Sequence, residues 1–234
     1  MLNFFNIGSF FNDVFMPTYC PVCGKVTEKS CICKDCCRIL ELAMLNEHGH
    51  CFDVDGYTVK CRSVFSYEYD QVKTAVLFMK ENPEKCIYNF FAAYLAREIR
   101  NIGYTGKAVI TYVPRSDEGM RDNGFDQSKL LAKMVSRIVP DTECLTLIKR
   151  TGKSKAQKSL KGKDREENVK GKFCAVKTAA SPKNIIITDD MFTTGSSMKE
   201  CVSVLKNAYP DADIFCVTAA KTPNTNSAVK YRKD

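Results

Sequence analysis

Short apolar runs alternate with amphipathic stretches through the second half of this 234-residue chain. The runs at 108–113, 184–188 and 213–219 are almost continuously apolar, which is typical of strands buried on both faces of a sheet. A helix is expected at 196–207, and another at 125–139. The second of these has its apolar side chains on one face: Leu130, Leu131, Met134, Val135 and Ile138. This order predicts an α/β fold, with a parallel sheet flanked by helices.

The first half of the chain has a different pattern. Apolar residues recur at intervals of three and four within residues 1–16, which predicts an amphipathic helix there: Phe4, Ile7, Phe11 and Val14. A short helix is expected at 38–47. The β-branched and aromatic residues of 58–69 then predict one strand or a hairpin, and two helices are expected at 70–80 and 84–102.

Cysteines are concentrated near the start of the chain. Of the 13 cysteines, six fall within residues 20–37, and they include two Cys-x-x-Cys pairs separated by nine residues. Four thiolates at this spacing suit tetrahedral Zn²⁺, so we expect a structural zinc site formed by Cys20, Cys23, Cys33 and Cys36. Cys31 and Cys37 are spare candidates, and Cys37 is the alternative to Cys36. Because a disulfide scaffold would be shorter and would distribute its cysteines, we expect a reducing compartment. His48 and His50 are interpreted as surface residues.

Composition narrows the class of protein. Hydrophobic residues make up 44% of the chain and charged residues 26%, as in ordinary globular proteins. No stretch approaches the roughly 18 to 20 apolar residues of a membrane-spanning helix. The N-terminus has no Lys or Arg ahead of its apolar part, as a signal peptide would. We therefore expect a cytoplasmic protein without a membrane span.

The net charge of +8 is concentrated in one segment. Residues 149–172 contain ten Lys or Arg against three Asp or Glu, a local balance of +7. This concentration favours a localised site for an anion over a uniformly basic surface, and both polyphosphates and nucleic acids fit it.

Residues 185–197, IIITDDMFTTGSS, contain the strongest chemical motif of the chain. The apolar triplet puts Asp189 and Asp190 at the carboxyl end of a strand, which is where open α/β folds bind ligands. The small residues that follow open a helix, whose free N–H groups and hydroxyls suit a phosphate monoester: Thr193, Thr194, Gly195, Ser196 and Ser197. Two carboxylates beside such a loop suit sugar hydroxyls or the surroundings of Mg²⁺.

This motif resembles the phosphoribosyl pyrophosphate (PRPP) binding motif of type I phosphoribosyltransferases. The resemblance implies that Asp189 and Asp190 hold the ribose hydroxyls, that Thr193 to Ser197 hold the 5′-phosphate, and that Mg²⁺ accompanies PRPP. It also implies that Arg115, in the loop after the strand at 108–113, pairs with the diphosphate. The fold it implies is a type I phosphoribosyltransferase-like parallel sheet flanked by helices, preceded by the small four-cysteine zinc module.

Further segments resemble the ComF family. Residues 121–127, RDNGFDQ, are similar to its Arg-x-x-Gly-Phe-Asn-Gln pattern, although Asp126 replaces the usual Asn. Residues 157–160 and 165–173 resemble its later signatures. The type I resemblance implies a hood over the site at the basic segment, with Arg165 favoured among its candidate cations: Lys155, Lys158, Lys161 and Arg165. The ComF resemblance implies a link to natural competence, imported single-stranded DNA and a helicase-like partner.

We therefore expect four segments and carry two hypotheses. The segments are an amphipathic helix at 1–16, the zinc module at 17–40, a phosphoribosyltransferase-like domain at 41–220 and a polar tail at 221–234. One hypothesis is a phosphoribosyltransferase whose acceptor the sequence does not identify. The other is a non-catalytic accessory protein that binds single-stranded DNA through the phosphate site and the basic segment.

Overall fold

A computed structural model describes residues 18–27, 30–45, 49–151 and 171–223. The amphipathic helix expected at 1–16 and nearly all of the polar tail expected at 221–234 lie outside the described residues.

The described residues form ten strands and six helices. The strands are β1 (Thr18–Tyr19), β2 (Val26–Thr27), β3 (Gly49–Val54), β4 (Tyr57–Ser66), β5 (Ala108–Tyr112), β6 (Thr142–Cys144), β7 (Ile148–Arg150), β8 (Phe173–Ala175), β9 (Asn184–Phe192) and β10 (Asp213–Lys221). The helices are α1 (Lys34–Leu42), α2 (Asp70–Glu81), α3 (Lys85–Arg100), α4 (Asp117–Asn123), α5 (Gln127–Ile138) and α6 (Ser196–Ala208).

Six strands form the central sheet, in the order β3-β4-β10-β9-β5-β6. Strands β4, β10, β9, β5 and β6 are parallel, as the apolar runs predict. The edge strand β3 is antiparallel to β4, so the sheet is mixed. The turn between β3 and β4 uses Asp55 and Gly56, which both have positive φ angles and so reverse the chain tightly.

Helices cover both faces of the sheet. In the central strand β9, Ile186 packs towards the face covered by α2, α3 and α5. Its neighbours Ile185 and Ile187 pack on the other face, against α6 residues such as Val202 and Leu205. Because successive side chains of a strand point to opposite faces, a strand in the middle of this sheet must be apolar at nearly every position. The predicted flanked sheet is therefore confirmed.

The cysteine module consists of the β1–β2 hairpin and α1. Helix α1 begins at Lys34 and ends at Leu42, several residues earlier than the helix expected at 38–47. Cys31, expected as a spare metal ligand, forms a disulfide with Cys86 of α3. This link was not expected from the sequence, because the two cysteines are 55 positions apart. It attaches the module to the helix beside it.

Two other elements differ from the expectation. Helix α4 follows β5 within a polar stretch, and β9 continues past the expected end of its strand to Phe192. Across the described ranges, no helix is both long enough and apolar enough to cross a lipid bilayer.

Candidate functional site

The carboxyl end of β9 opens into a small pocket. Asp189 and Asp190 lie near the C-terminal end of this strand. The strand ends at Phe192, and α6 begins at Ser196 after a three-residue loop. The pocket has a volume of about 240 Å³ and is lined by residues 189–198 together with Lys80. The structure therefore brings the acidic pair and the small-residue loop to one cavity.

The loop before α6 depends on glycine. Gly195 has a φ of +75°, and a Cβ atom there would lie 2.5 Å from the ring of Phe192. Gly195 occupies the N-cap position and has no side chain that could cap α6. The hydroxyl of Thr194 accepts from the backbone N–H of Ser196 at 3.4 Å, and the hydroxyl oxygens of Thr194 and Ser196 are 2.8 Å apart. The N–H groups at the start of α6 and these hydroxyls form an arrangement that can bind an anion.

Phe192 rests on two aromatic side chains of β3. The ring centroids of His50 and Phe192 are 4.7 Å apart, and those of Phe52 and Phe192 are 5.7 Å apart. His50 is therefore partly buried beneath the loop, and its interpretation as a surface residue is wrong. Burial, and then the positive charge of Lys221, lower the pKa of His50 to about 4. A neutral imidazole thus supports the ring that shapes the loop.

Asp190 is held by an ion pair and a hydrogen bond. Its carboxylate is buried, with the Nζ atom of Lys80 3.3 Å from Oδ2. The amide of Gln127 donates to the same oxygen at 3.3 Å. These two contacts give the buried carboxyl group of Asp190 a cationic partner and a hydrogen-bond donor.

Asp189 lies in a different environment. The hydroxyl of Ser128 donates to its Oδ1 atom at 3.0 Å, and the backbone N–H of Asp190 donates to the same oxygen at 2.9 Å. Burial, and then the neighbouring charge of Asp190, raise the pKa of Asp189 well above its usual value. The two adjacent acids therefore have different partners: a lysine and an amide at Asp190, a hydroxyl and a backbone N–H at Asp189.

Arg115 does not line the pocket. Its Nη1 atom donates to the carbonyl oxygen of Lys80 at 3.3 Å and also to the side-chain oxygen of Gln127. Gln127 in turn donates to Asp190, so Arg115 reaches the acidic pair through one amide.

Asp126 occupies the position where the ComF pattern has Asn. One carboxylate oxygen accepts from the backbone N–H of Arg115 at 3.2 Å. The other accepts from the backbone N–H of Lys129 at 3.0 Å and caps α5. Both contacts require an acceptor, so the aspartate caps the helix without needing an amide donor.

The basic segment lies largely outside the described residues, and so do Arg165, Lys155, Lys158 and Lys161. The hairpin of β7 and β8 flanks it. Arg150 donates from Nε to the carbonyl oxygen of Pro114 at 2.9 Å, and the backbone N–H of Lys172 donates to Glu200 of α6 at 2.7 Å. Both ends of the basic segment are thus fixed near the loop that contains Arg115 and near α6.

The cysteine cluster is a separate site. The sulfur atoms of Cys20, Cys23, Cys33 and Cys36 all lie within 4.8 Å of one another. The thiol of Cys37 donates to the carbonyl oxygen of Ile32 instead, so Cys36 completes the set. This arrangement can hold one metal ion.

The electrostatics of the cluster also suit a metal ion. Burial would raise the pKa of Cys20, but backbone N–H groups of Cys33, Val22 and Cys23 lower it to about 7. Burial, together with the three other thiols, raises the pKa of Cys36. Four ionised thiols repel one another at these distances unless a cation lies among them.

Three residues of the β9 site were not identified as binding residues from the sequence. Lys80 lies in the last turn of α2, more than a hundred positions before the acidic pair, and nothing in its local sequence marks it. Gln127 falls within the ComF-like stretch 121–127. The resemblance marked this stretch, but it did not indicate what Gln127 contacts. Ser128 follows directly after it.

A larger groove of about 930 Å³ lies at the amino ends of the strands, away from all the motif residues.

No family model matches the chain. The chain is 25% identical over 185 residues to Competence protein ComFC of Bacillus subtilis (strain 168), covering 76% of this chain and 68% of that protein. It is 32% identical over 85 residues to Competence protein F of Haemophilus influenzae, covering 36% of this chain and 37% of that protein.

Solved structures of phosphoribosyltransferases also match. The adenine phosphoribosyltransferase of Saccharomyces cerevisiae is 14% identical with a TM-score of 0.38, covering 81% of this chain and 89% of that one. The xanthine-guanine-hypoxanthine phosphoribosyltransferase of Helicobacter pylori is 14% identical with a TM-score of 0.36, covering 64% of this chain and 80% of that one.

Proposed function

We propose that this chain belongs to the ComF family, that it has a type I phosphoribosyltransferase-like domain, and that it binds PRPP or a related phosphoribosyl ligand at the end of β9. One observation carries the proposal. The acidic pair Asp189–Asp190 and the uncapped start of α6 line the same pocket of about 240 Å³. A phosphorylated sugar is a ligand whose chemistry fits both halves of that pocket.

Each half of the ligand has its own partners in this proposal. The 5′-phosphate accepts hydrogen bonds from the N–H groups and hydroxyls of Thr193 to Ser197. The ribose hydroxyls donate to the carboxyl oxygens of Asp189 and Asp190. Mg²⁺ bound to PRPP would neutralise part of the charge of its diphosphate.

We extend the proposal to phosphoribosyl transfer. In that reaction the bond between C1 of the ribose and the diphosphate oxygen breaks, and pyrophosphate leaves. An acceptor atom bonds to C1 and loses its proton. The protein supplies no nucleophile, so its tasks are to fix the ribose, to attract the departing negative charge and to exclude water. Arg115 can pair with the departing pyrophosphate if its side chain releases its hydrogen bond to Gln127. Arg165 is the second cation that we propose for this task.

We also propose that the cysteine cluster holds a structural Zn²⁺. Four sulfur atoms within 4.8 Å match the tetrahedral all-thiolate set that zinc favours. All four positions of the ion would be taken by protein, so the ion's task is to stabilise the module.

The names of the two curated relatives link the family to competence. We therefore propose a role for this chain in natural competence and DNA uptake. The alternative is a non-catalytic accessory protein that binds single-stranded DNA, with a helicase-like partner. That alternative rests on the basic residues Lys155, Lys158, Lys161 and Arg165, which lie outside the described residues.

Calorimetric titration with PRPP and Mg²⁺ tests the proposal. Wild-type protein is expected to bind, and Asp190→Asn to weaken binding at least about tenfold, because a charged acceptor for a ribose hydroxyl is lost. Asp213→Asn, an exposed aspartate at the start of β10, is the matched control and should bind as the wild type does.

Failure of the wild type to bind PRPP would contradict the proposal. Oligonucleotide binding that weakens with salt and with neutralisation of the four basic residues would then favour the accessory role.

A further inference from the structure

Helix α2 places a lysine, Lys80, in the pocket, although it lies more than a hundred positions before the acidic pair in the sequence. Lys80 lies one residue before the end of α2, and it lines the cavity together with the acidic pair and the small-residue loop. Its Nζ atom is 3.3 Å from Oδ2 of Asp190, while 27% of its side chain is exposed. The ammonium group is therefore both paired inside the protein and reachable by a ligand.

The backbone of Lys80 is held firmly in place. Its carbonyl oxygen accepts hydrogen bonds from the guanidinium of Arg115 and from the side-chain amide of Asn123. The hydroxyl of Tyr88 donates to the preceding carbonyl, that of Met79, at 2.7 Å. These contacts fix where the side chain starts, whereas its four-carbon stem can rotate. The ammonium can therefore change partners without a rearrangement of α2.

The pocket presents an electrostatic problem for an anionic ligand. Two adjacent carboxylates would repel a phosphate group, and Lys80 offsets part of their charge. A ribose hydroxyl that donated to Asp190 would satisfy the carboxylate oxygen that now faces Lys80. Gln127 donates to the same oxygen and would keep the carboxylate oriented. The ammonium of Lys80 could then pair with the ligand's own negative charge.

We propose that Lys80 is a ligand-binding residue of this site, which exchanges its ion pair with Asp190 for one with a phosphate group of the bound ligand. The inference rests on the proposed phosphoribosyl site and adds to it a binding cation from outside the acidic and small-residue motif. The shared chemistry is a phosphate monoester or a diphosphate, since both present the anionic oxygens that an ammonium binds.

Titrations of three variants with three probes test this inference. The probes are PRPP with Mg²⁺, ribose 5-phosphate and inorganic pyrophosphate. Lys80→Met is expected to lower the affinity for PRPP at least about tenfold and to reduce its dependence on salt, because one ion pair is lost. Lys80→Arg is expected to recover part of the affinity, because it restores the charge. The control is Lys73→Met on the same helix, where the lysine pairs with Asp70 at the surface.

Ribose 5-phosphate and pyrophosphate each contain only one of the two anionic groups of PRPP, so they distinguish the two sources of the anion. A loss confined to ribose 5-phosphate and PRPP assigns Lys80 to the 5′-phosphate, and a loss confined to pyrophosphate and PRPP assigns it to the diphosphate.

The outcomes also separate this inference from the proposed function. A wild type that binds none of the probes would overturn both. A wild type that binds PRPP while Lys80→Met binds equally well would overturn the role of Lys80 alone. Equal losses for all probes, with a lower melting temperature and no recovery in Lys80→Arg, would mean that Lys80 only supports the fold.

Discussion

Neighbouring residues at the end of β9 have different physical tasks. Asp190 is buried and balanced by Lys80, whereas the pKa of Asp189 is raised by its burial and by Asp190. Gly195 is required because its φ is positive and because the ring of Phe192 fills the space that a Cβ would need. The site therefore depends on residues that would not bind the ligand themselves, Phe192 among them.

His50 makes this support dependent on pH. Its pKa in the folded protein is about 4, whereas an unfolded histidine has a pKa near 6.5. The unfolded chain therefore binds more protons between these values, so the free energy of unfolding decreases as the pH falls from 6.5 to 4. His50→Gln is expected to show a smaller decrease across this range. Urea unfolding at pH 7.0 and pH 4.5 measures it, and identical decreases in both proteins would contradict the burial of His50.

At the scale of elements, the cysteine module has little apolar core of its own. Its strands β1 and β2 are two residues long, and both Tyr19 and Val26 are exposed. So small a unit needs cross-links to hold its shape. The four-cysteine cluster can supply one by holding a metal ion, and the disulfide between Cys31 and Cys86 attaches the module to α3.

Removal of zinc is therefore expected to destabilise the protein. Treatment with a chelator, or Cys20→Ser, should lower the melting temperature by about 5–10 °C, because binding free energy of the metal is lost from the folded state. Cys51→Ser is the control, since Cys51 is exposed on β3 outside the cluster. Metal analysis accompanies each melt. A purified protein without zinc whose melting temperature is unchanged by Cys20→Ser would contradict a structural metal site.

Some elements could be predicted from their pattern of apolar residues and others could not. The parallel strands could be predicted, because a strand buried on both faces is apolar throughout. Helix α4 could not, since its sequence DEGMRDN has no apolar periodicity. Strand β3 has only alternate residues partly buried, a weak signal in a short edge strand. The acidic pair and the loop that follows it were found because they are contiguous in the sequence. Lys80 reaches the pocket, and Ser128 reaches Asp189, only through the packing of α2 and α5.

At the scale of the whole molecule, the sheet order explains where the pocket lies. From β9 the chain crosses to β10 through α6 on one face of the sheet, and from β5 it crosses to β6 through α5 on the other. Strands β9 and β5 are neighbours, so the connections diverge between them and leave a crevice at their carboxyl ends. The acidic pair, the loop before α6 and Gln127 all lie at this crevice.

The structure of the protein with PRPP and Mg²⁺ bound tests the proposed ligand site. We expect the 5′-phosphate about 3 Å from the N–H groups at the start of α6, with ribose hydroxyls donating to Asp189 and Asp190. A phosphate bound elsewhere, such as the larger groove lined by residues 105–109 and 180–184, would contradict it. So would a pocket at β9 that stays empty while PRPP is saturating.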